Sequence, residues 1–266
     1  MDPITIVTVL ALGLGIGIIV GLTSVGSGAL MTPILYLDFS SALARNLVVG
    51  TASAQGTIIK FAASARNYYR KKLRPDYAFM IAITGVPFAV IGALFSTSFI
   101  TFNLFSPLLA LVLLAVGVLI IVQQKASKIS HTEDPKMTVK LKRKGWAIGI
   151  VIGLIAGLTG VATGSLLVSS LMLILKFPNR TAVSIAIFEG GLILFAAAAT
   201  QFYLGHIDIA FTGILLLGGI PGVLIGSHYK DRINQKLLGY GIAGVIIFES
   251  ARTISAFLTG KSFFFF

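Results

Sequence analysis

Cysteine is absent from the 266 residues, and charge is scarce: 11% of side chains are charged against 56% apolar. Without thiols there are no disulfides, thiolate metal sites or cysteine nucleophiles. A soluble domain carries about 25% charged residues, so a water-solvated surface is excluded as well. Histidine is limited to His131, His206 and His228, scattered in or near loops, which suggests no metal site. No cluster of nucleophile, base and metal ligands stands out, so neither enzyme activity nor a cofactor is expected. Met1-Asp2-Pro3 offers no basic n-region, and no secretory signal peptide is expected.

What fills the chain is long apolar sequence. No charged residue lies between Asp2 and Asp38, between Asp76 and Lys125, or between Lys144 and Lys176. A bilayer-spanning helix needs about 20 mainly apolar residues, and eight hydrophobic blocks can be read. The first runs from Ile4 to Leu37 and is interrupted from Thr23 to Gly28. Leu43 to Ser64, Tyr77 to Phe95 and Phe105 to Gln123 follow. The fifth, Trp146 to Leu175, is interrupted from Thr159 to Gly164. Ala182 to Leu204, Ile209 to Ser227 and Leu237 to Phe257 complete the set. The net charge of +12 collects in loops beside these blocks, as the positive-inside rule expects; nucleic acid is not an expected partner.

The chain reads as a duplication. Gly21-Leu22-Thr23-Ser24-Val25-Gly26-Ser27-Gly28-Ala29-Leu30 aligns with Gly157-Leu158-Thr159-Gly160-Val161-Ala162-Thr163-Gly164-Ser165-Leu166, with six identities in ten. Asp76-Tyr77-Ala78-Phe79 then echoes Asp208-Ile209-Ala210-Phe211, and Pro87 and Gly92 echo Pro221 and Gly226. Residues 1–124 form a first repeat, 125–145 a basic cytoplasmic linker and 146–266 a second repeat. The loop with Arg66, Arg70, Lys71, Lys72 and Arg74 should be cytoplasmic, whereas its counterpart Gly205 to Asp208 has no Lys or Arg and should face out. Equivalent loops on opposite sides indicate inverted repeats. Counting crossings then makes blocks one and five hairpins, broken or re-entrant, and places the N-terminus outside. The expected fold is an all-α polytopic membrane protein of two inverted four-block repeats, each opening with such a hairpin.

Paired glycine-rich breaks in inverted repeats point to a transport site. A helix that starts at mid-depth exposes unpaired N–H groups, which favour an anion. Thr23, Ser24, Ser27, Thr159, Thr163 and Ser165 add hydroxyls, and Gly26, Gly28, Gly160 and Gly164 allow close approach to the backbone. Block two is polar for a spanning helix, so Thr51, Ser53 and Gln55 should face the interior and line the pathway. Lys60 is expected to snorkel from the cytoplasmic end. Arg45 and Arg180 start equivalent blocks and either attract the anion or anchor helix ends. Glu189 is an isolated intramembrane carboxylate, a coupling group for a proton or sodium or else a structural hydrogen-bonding residue. Glu249 and Arg252, three apart, should form a local ion pair.

The two motifs Gly21 to Pro33 and Gly157 to Ser169, the segment Val49-Gly50-Thr51-Ala52-Ser53, the Gly205-His206-Ile207-Asp208 turn and the Gly222 to Gly226 helix resemble the sulfite exporter TauE/SafE family. The resemblance spans nearly the whole chain. It departs at Val25-Gly26-Ser27-Gly28, where more consecutive glycines are expected, and at Ser169, which stands where the first half has Pro33. It implies a secondary transporter of small sulfur-containing anions (sulfite, sulfoacetate or a related organosulfonate) in a prokaryotic plasma membrane, working by alternating access. A passive anion channel and a non-transporting membrane scaffold subunit are the alternatives. The expected partners are the anion, the lipid bilayer, a coupling proton or sodium and, as an option, a second copy of the chain in a homodimer.

Overall fold

The structure, a computed structural model, describes residues 2–23, 26–69, 74–101, 104–126, 134–161, 163–229 and 233–259. Among these, every regular element is helical: α1 (Pro3–Thr23), α2 (Gly28–Leu37), a 3₁₀ turn (Arg45–Leu47), α3 (Val48–Tyr69), α4 (Pro75–Thr101), α5 (Phe105–Ala126), α6 (Val139–Thr159), α7 (Ser165–Leu173), α8 (Asn179–Tyr203), α9 (Ile209–Tyr229) and α10 (Gln235–Thr259). Six of them are long and apolar enough to cross a membrane: α1, α4, α5, α8, α9 and α10. α3 is as long but more polar, and α6 opens with Lys140, Lys142, Arg143 and Lys144. The surface matches that solvent, since Ile4, Phe95, Leu111, Phe195, Leu217 and Leu258 are all more than half exposed. This is a multi-pass membrane protein.

The elements extend beyond the expected blocks. α3 reaches Tyr69 rather than stopping at Ser64, and α6 begins at Val139, inside the stretch read as linker. Thr138 explains the early start: its side-chain oxygen accepts from the Leu141 N–H and caps the helix.

Small residues set the helix pairing. A methyl added at Gly13, Gly17 or Gly21 of α1 would come within 2.3, 2.4 and 2.5 Å of the Leu215, Gly219 and Val223 carbonyl oxygens of α9. The second half repeats this contact: methyls at Gly149, Gly153 and Gly157 of α6 would meet the carbonyls of Ile81, Gly85 and Ala89 in α4 at 2.4, 2.2 and 2.2 Å. Small residues every fourth position let two backbones approach closely in lipid. Residue numbers rise together in both contacts, so each pair is parallel and each joins one half to the other.

Helices in equivalent places run antiparallel. Along α3 and α8, Gly50 meets Gln201, Gly56 meets Leu194 and Lys60 meets Gly190. Along α5 and α10, the Ser250 hydroxyl donates to the Ala110 carbonyl, Gly117 meets Ile247 and Gly239 meets Gln124. α9 runs parallel to α3 as well, with Asp208 beside Thr51 and Gly219 beside Ile59. α1 and α3 therefore point the same way, and the chain must double back between them. α2 carries that return and α7 its counterpart. Their ten and nine residues span about 15 and 14 Å, half of a bilayer core.

The apolar interior follows these pairings and not the chain order. One cluster gathers α1, α2, α3, α5, α9 and α10; the other gathers α4, α6, α7 and α8. Far from the breaks, Arg252 on α10 pairs with Glu249 at 3.0 Å, the local pair expected from spacing, and with Asp38 beyond α2 at 2.6 Å.

Gly153→Val, which thrusts a side chain into the Gly85 carbonyl, should cost about 1–3 kcal/mol or prevent folding. Gly241→Ala has nothing within 4 Å of the new methyl and should gain up to about 1 kcal/mol of helix propensity. Thermal unfolding in detergent separates the two, and equal stability would refute the close packing of α4 on α6. Removing the partner of two buried carboxylates by Arg252→Ala should cost about 3–5 kcal/mol, with partial recovery in the Arg252→Ala/Asp38→Asn double variant.

Candidate functional site

The two glycine-rich interruptions are real breaks, and they touch. α6 ends because Gly160 adopts a left-handed conformation (φ 70°), its N–H bonding back to the Ala156 carbonyl. α1 ends at Thr23, and the chain resumes as α2 from Gly28. A methyl on Gly28 would lie 1.9 Å from the Gly160 carbonyl oxygen, and one on Gly26 would lie 3.1 Å from the Gly164 nitrogen. No side chain fits between these strands of backbone. α2 and α7 start beside this contact, and neither has a side-chain cap on its first turn; at α2 the Ala29 and Leu30 N–H groups bond back to the Gly26 and Ser27 carbonyls at 3.2 and 3.1 Å.

Polar side chains close around it. A methyl on Gly160 would sit 3.3 Å from the Thr32 hydroxyl and 3.4 Å from the Ser53 hydroxyl, and one on Gly56 would sit 2.9 Å from the Ser27 hydroxyl. Ser27, Thr32, Ser53 and Gln55 are 0% exposed and Ser184 is 3% exposed. The polar atoms of all five side chains have no hydrogen-bond partner, and nor has either carboxylate oxygen of Glu189. Buried polar groups are nearly always paired, and three of these unpaired hydroxyls, on Ser27, Thr32 and Ser53, gather at the junction.

The expected residues divide into two sets. Gly26, Ser27, Gly28, Gly160 and Gly164 form the junction, and Ser53 faces it from α3, alongside buried Thr163 and Ser165, whereas the Gln55 amide lies 3.6 Å from where a methyl on Gly219 of α9 would stand. The Thr23 and Thr159 hydroxyls donate to the Ile19 and Ile155 carbonyls of their own helices at 2.7 Å each, and that of Thr159 also accepts from the Val161 N–H in the break at 3.2 Å. Thr51 accepts from the Asp208 N–H and fastens α3 to the turn before α9. Arg45 is exposed and lies over the Tyr36 ring, 5.4 Å from its centroid. Ser24 and the Arg180 side chain lie outside the described residues.

Lys60 corrects the sequence reading. It does not snorkel: it is 2% exposed, and its ammonium donates to the Thr163 carbonyl in the second break and, at 3.4 Å, to the Ala186 carbonyl of α8. Its distance from the end of α3 is what hid this, because the helix continues nine residues past it to Tyr69. Thr32 and Ser184 were also missed, and no sequence signal separates them from other membrane hydroxyls. A cavity of about 320 Å³ lies elsewhere, lined by Leu12, Ile34, Asp38, Val245, Glu249 and Arg252. Its charged groups pair with one another, the Thr8 hydroxyl on its wall donates to the Ile4 carbonyl at 2.8 Å, and its other lining residues are apolar.

Comparison with known proteins agrees with this architecture. The model of the family described as Sulfite exporter TauE/SafE matches residues 9–253. "Probable membrane transporter protein YjnA" of Bacillus subtilis (strain 168) is 29% identical over 255 residues, covering 93% of this chain and 99% of that protein. "Probable membrane transporter protein YunE" of the same organism is 25% identical over 248 residues, covering 87% and 89%. With a match that takes in both breaks and all ten helices, this chain is a membrane transporter of the sulfite exporter TauE/SafE family.

Proposed function

We propose that the protein is a secondary transporter that moves small sulfur-containing anions across a prokaryotic plasma membrane by alternating access. The anion is held where the two breaks meet. The observation that carries this reading is the set of buried, unpaired hydroxyls on Ser27, Thr32 and Ser53 where the two breaks meet. A sulfonate or sulfite group, with three oxygens that accept hydrogen bonds, suits such a set of hydroxyl donors.

The inverted-repeat reading is supported by the antiparallel run of α3 against α8 and of α5 against α10. In a membrane, that relation puts a twofold axis in the bilayer plane and the junction near its centre. Rocking one set of helices against the other then opens the site to alternate faces. The N-terminus lies outside and the linker is cytoplasmic, so that basic loops face inward.

Gly28 is no place to test the mechanism, because any side chain there meets the Gly160 carbonyl. Ser53→Ala and Thr32→Val are better. Each should lower the apparent affinity for sulfite in proteoliposome uptake by about tenfold, the loss of one charge-assisted hydrogen bond. Each should leave thermal stability unchanged or raise it, because an unpaired buried polar group is removed. Unaltered uptake in both variants would dismiss the junction as the site, and uptake rising linearly with concentration would dismiss alternating access. The native chain lacks cysteine, so single cysteines report topology directly. Asp76→Cys and Leu204→Cys, at equivalent ends of the two halves, should label from opposite faces; labelling from one face would overturn the inversion.

A further inference from the structure

Lys60 and Glu189 are the two charged residues buried in the junction region, and the anion site described above uses neither. Lys60 comes from α3 in the first half, yet both of its acceptors, the Thr163 and Ala186 carbonyls, belong to the second. Glu189 lies one turn along α8 from Ala186 and is 0% exposed. Its Oε1 is 3.4 Å from where a methyl on Gly85 would stand, and neither oxygen has a hydrogen-bond partner. Among the described residues, Lys60 forms no ion pair within 4.0 Å. It is nevertheless the charged group that acts electrostatically on Glu189. α8, which carries Glu189, packs on α3, α4, α6 and α7: α3 presents Lys60, α4 presents Gly85, α7 has no titratable residue and the basic residues of α6 lie in its first two turns, so among the described residues Lys60 is the charged group that faces Glu189.

The charge count decides what such a pair can do. With both groups ionised the site is neutral, and Glu189 is a carboxylate without a donor, an arrangement that burial penalises. With a proton on Glu189 the site carries one positive charge, which a monovalent anion neutralises. The anion and the proton therefore favour each other's binding, and that coupling is reciprocal.

We infer that Lys60 supplies the counter-charge for the transported anion and that Glu189 takes up one proton from water with each anion bound, so that the two cross as a neutral pair. The proton adds to a carboxylate oxygen on the loading face and returns to water on the releasing face; no bond of the anion is made or broken. This rests on the anion site proposed above, and it names the coupling ion of that site.

Isothermal titration calorimetry of the purified protein tests it. The probes are methanesulfonate, an anion at every working pH, and sulfite, with sulfite's own protonation subtracted using protein-free titrations. Pairs of buffers that differ in ionisation enthalpy, between pH 5 and 9, give the number of protons bound. The wild type should take up about one proton per anion through the titration of Glu189, and the dissociation constant should rise about tenfold per pH unit above it. Glu189→Gln should bind the anion with no proton uptake and a flat pH profile, and Lys60→Met should weaken binding about a hundredfold or more at every pH. Anion binding without proton uptake in the wild type, or unchanged uptake in Glu189→Gln, would overturn the coupling and leave the anion site standing. Failure of the wild type to bind either probe would remove the anion site itself. The proton count on the wild type needs no variant, so misfolding of Lys60→Met does not blunt the test.

Discussion

Backbone meets backbone where the two breaks cross, and the rest of the molecule is arranged so that it can. The Gly28 and Gly160 pair leaves no room for a Cβ. Two half-helices can then begin within reach of the same ligand from opposite halves of the chain. Irregular backbone at membrane depth is tolerated only where protein or water satisfies it, so α3 and α8 are placed over the junction and α1·α9 and α4·α6 buttress it from outside. A larger residue at either glycine would separate the half-helices, and with them the two sets of N–H groups.

The polarity of the protein is inverted relative to a soluble one. Leucine, isoleucine and phenylalanine cover the outside, while hydroxyls, an amide, an ammonium and a carboxylate are packed at the centre. In lipid this costs nothing at the surface and a good deal in the middle. Lys60 shows how the cost is limited: its ammonium is lodged against two carbonyls of the opposite half, so the same contact that shelters the charge also holds the halves in register.

Much of this was legible in the sequence, for physical reasons. Uncharged runs give helices because lipid admits little else, and the matched Gly-rich motifs gave both breaks to within a residue or two. Ser27, Ser53, Gln55 and Glu189 could be picked out because a polar residue in an apolar run has to face inward. Depth was harder. Lys60 was placed near a membrane face because the apolar pattern fades at Ser64, whereas α3 goes on to Tyr69 and carries Lys60 inward. Pairings across long separations leave no local trace: Asp38 and Arg252 meet across 214 positions, and only the near partner Glu249 had a spacing to betray it. Thr23 and Thr159 show the converse, since a hydroxyl in a suggestive motif can turn back to its own helix.

The parallel glycine contacts also govern the order in which the protein can be made. α1 leaves the ribosome first, but the face that Gly13, Gly17 and Gly21 present is complementary to α9, which starts at Ile209. At ordinary rates of synthesis the intervening chain takes on the order of ten to forty seconds to emerge. Through that interval the small-residue stripe of α1 has no α9 to pack against. Neither half of the chain can complete its packing alone, so assembly waits on the last third of the polypeptide.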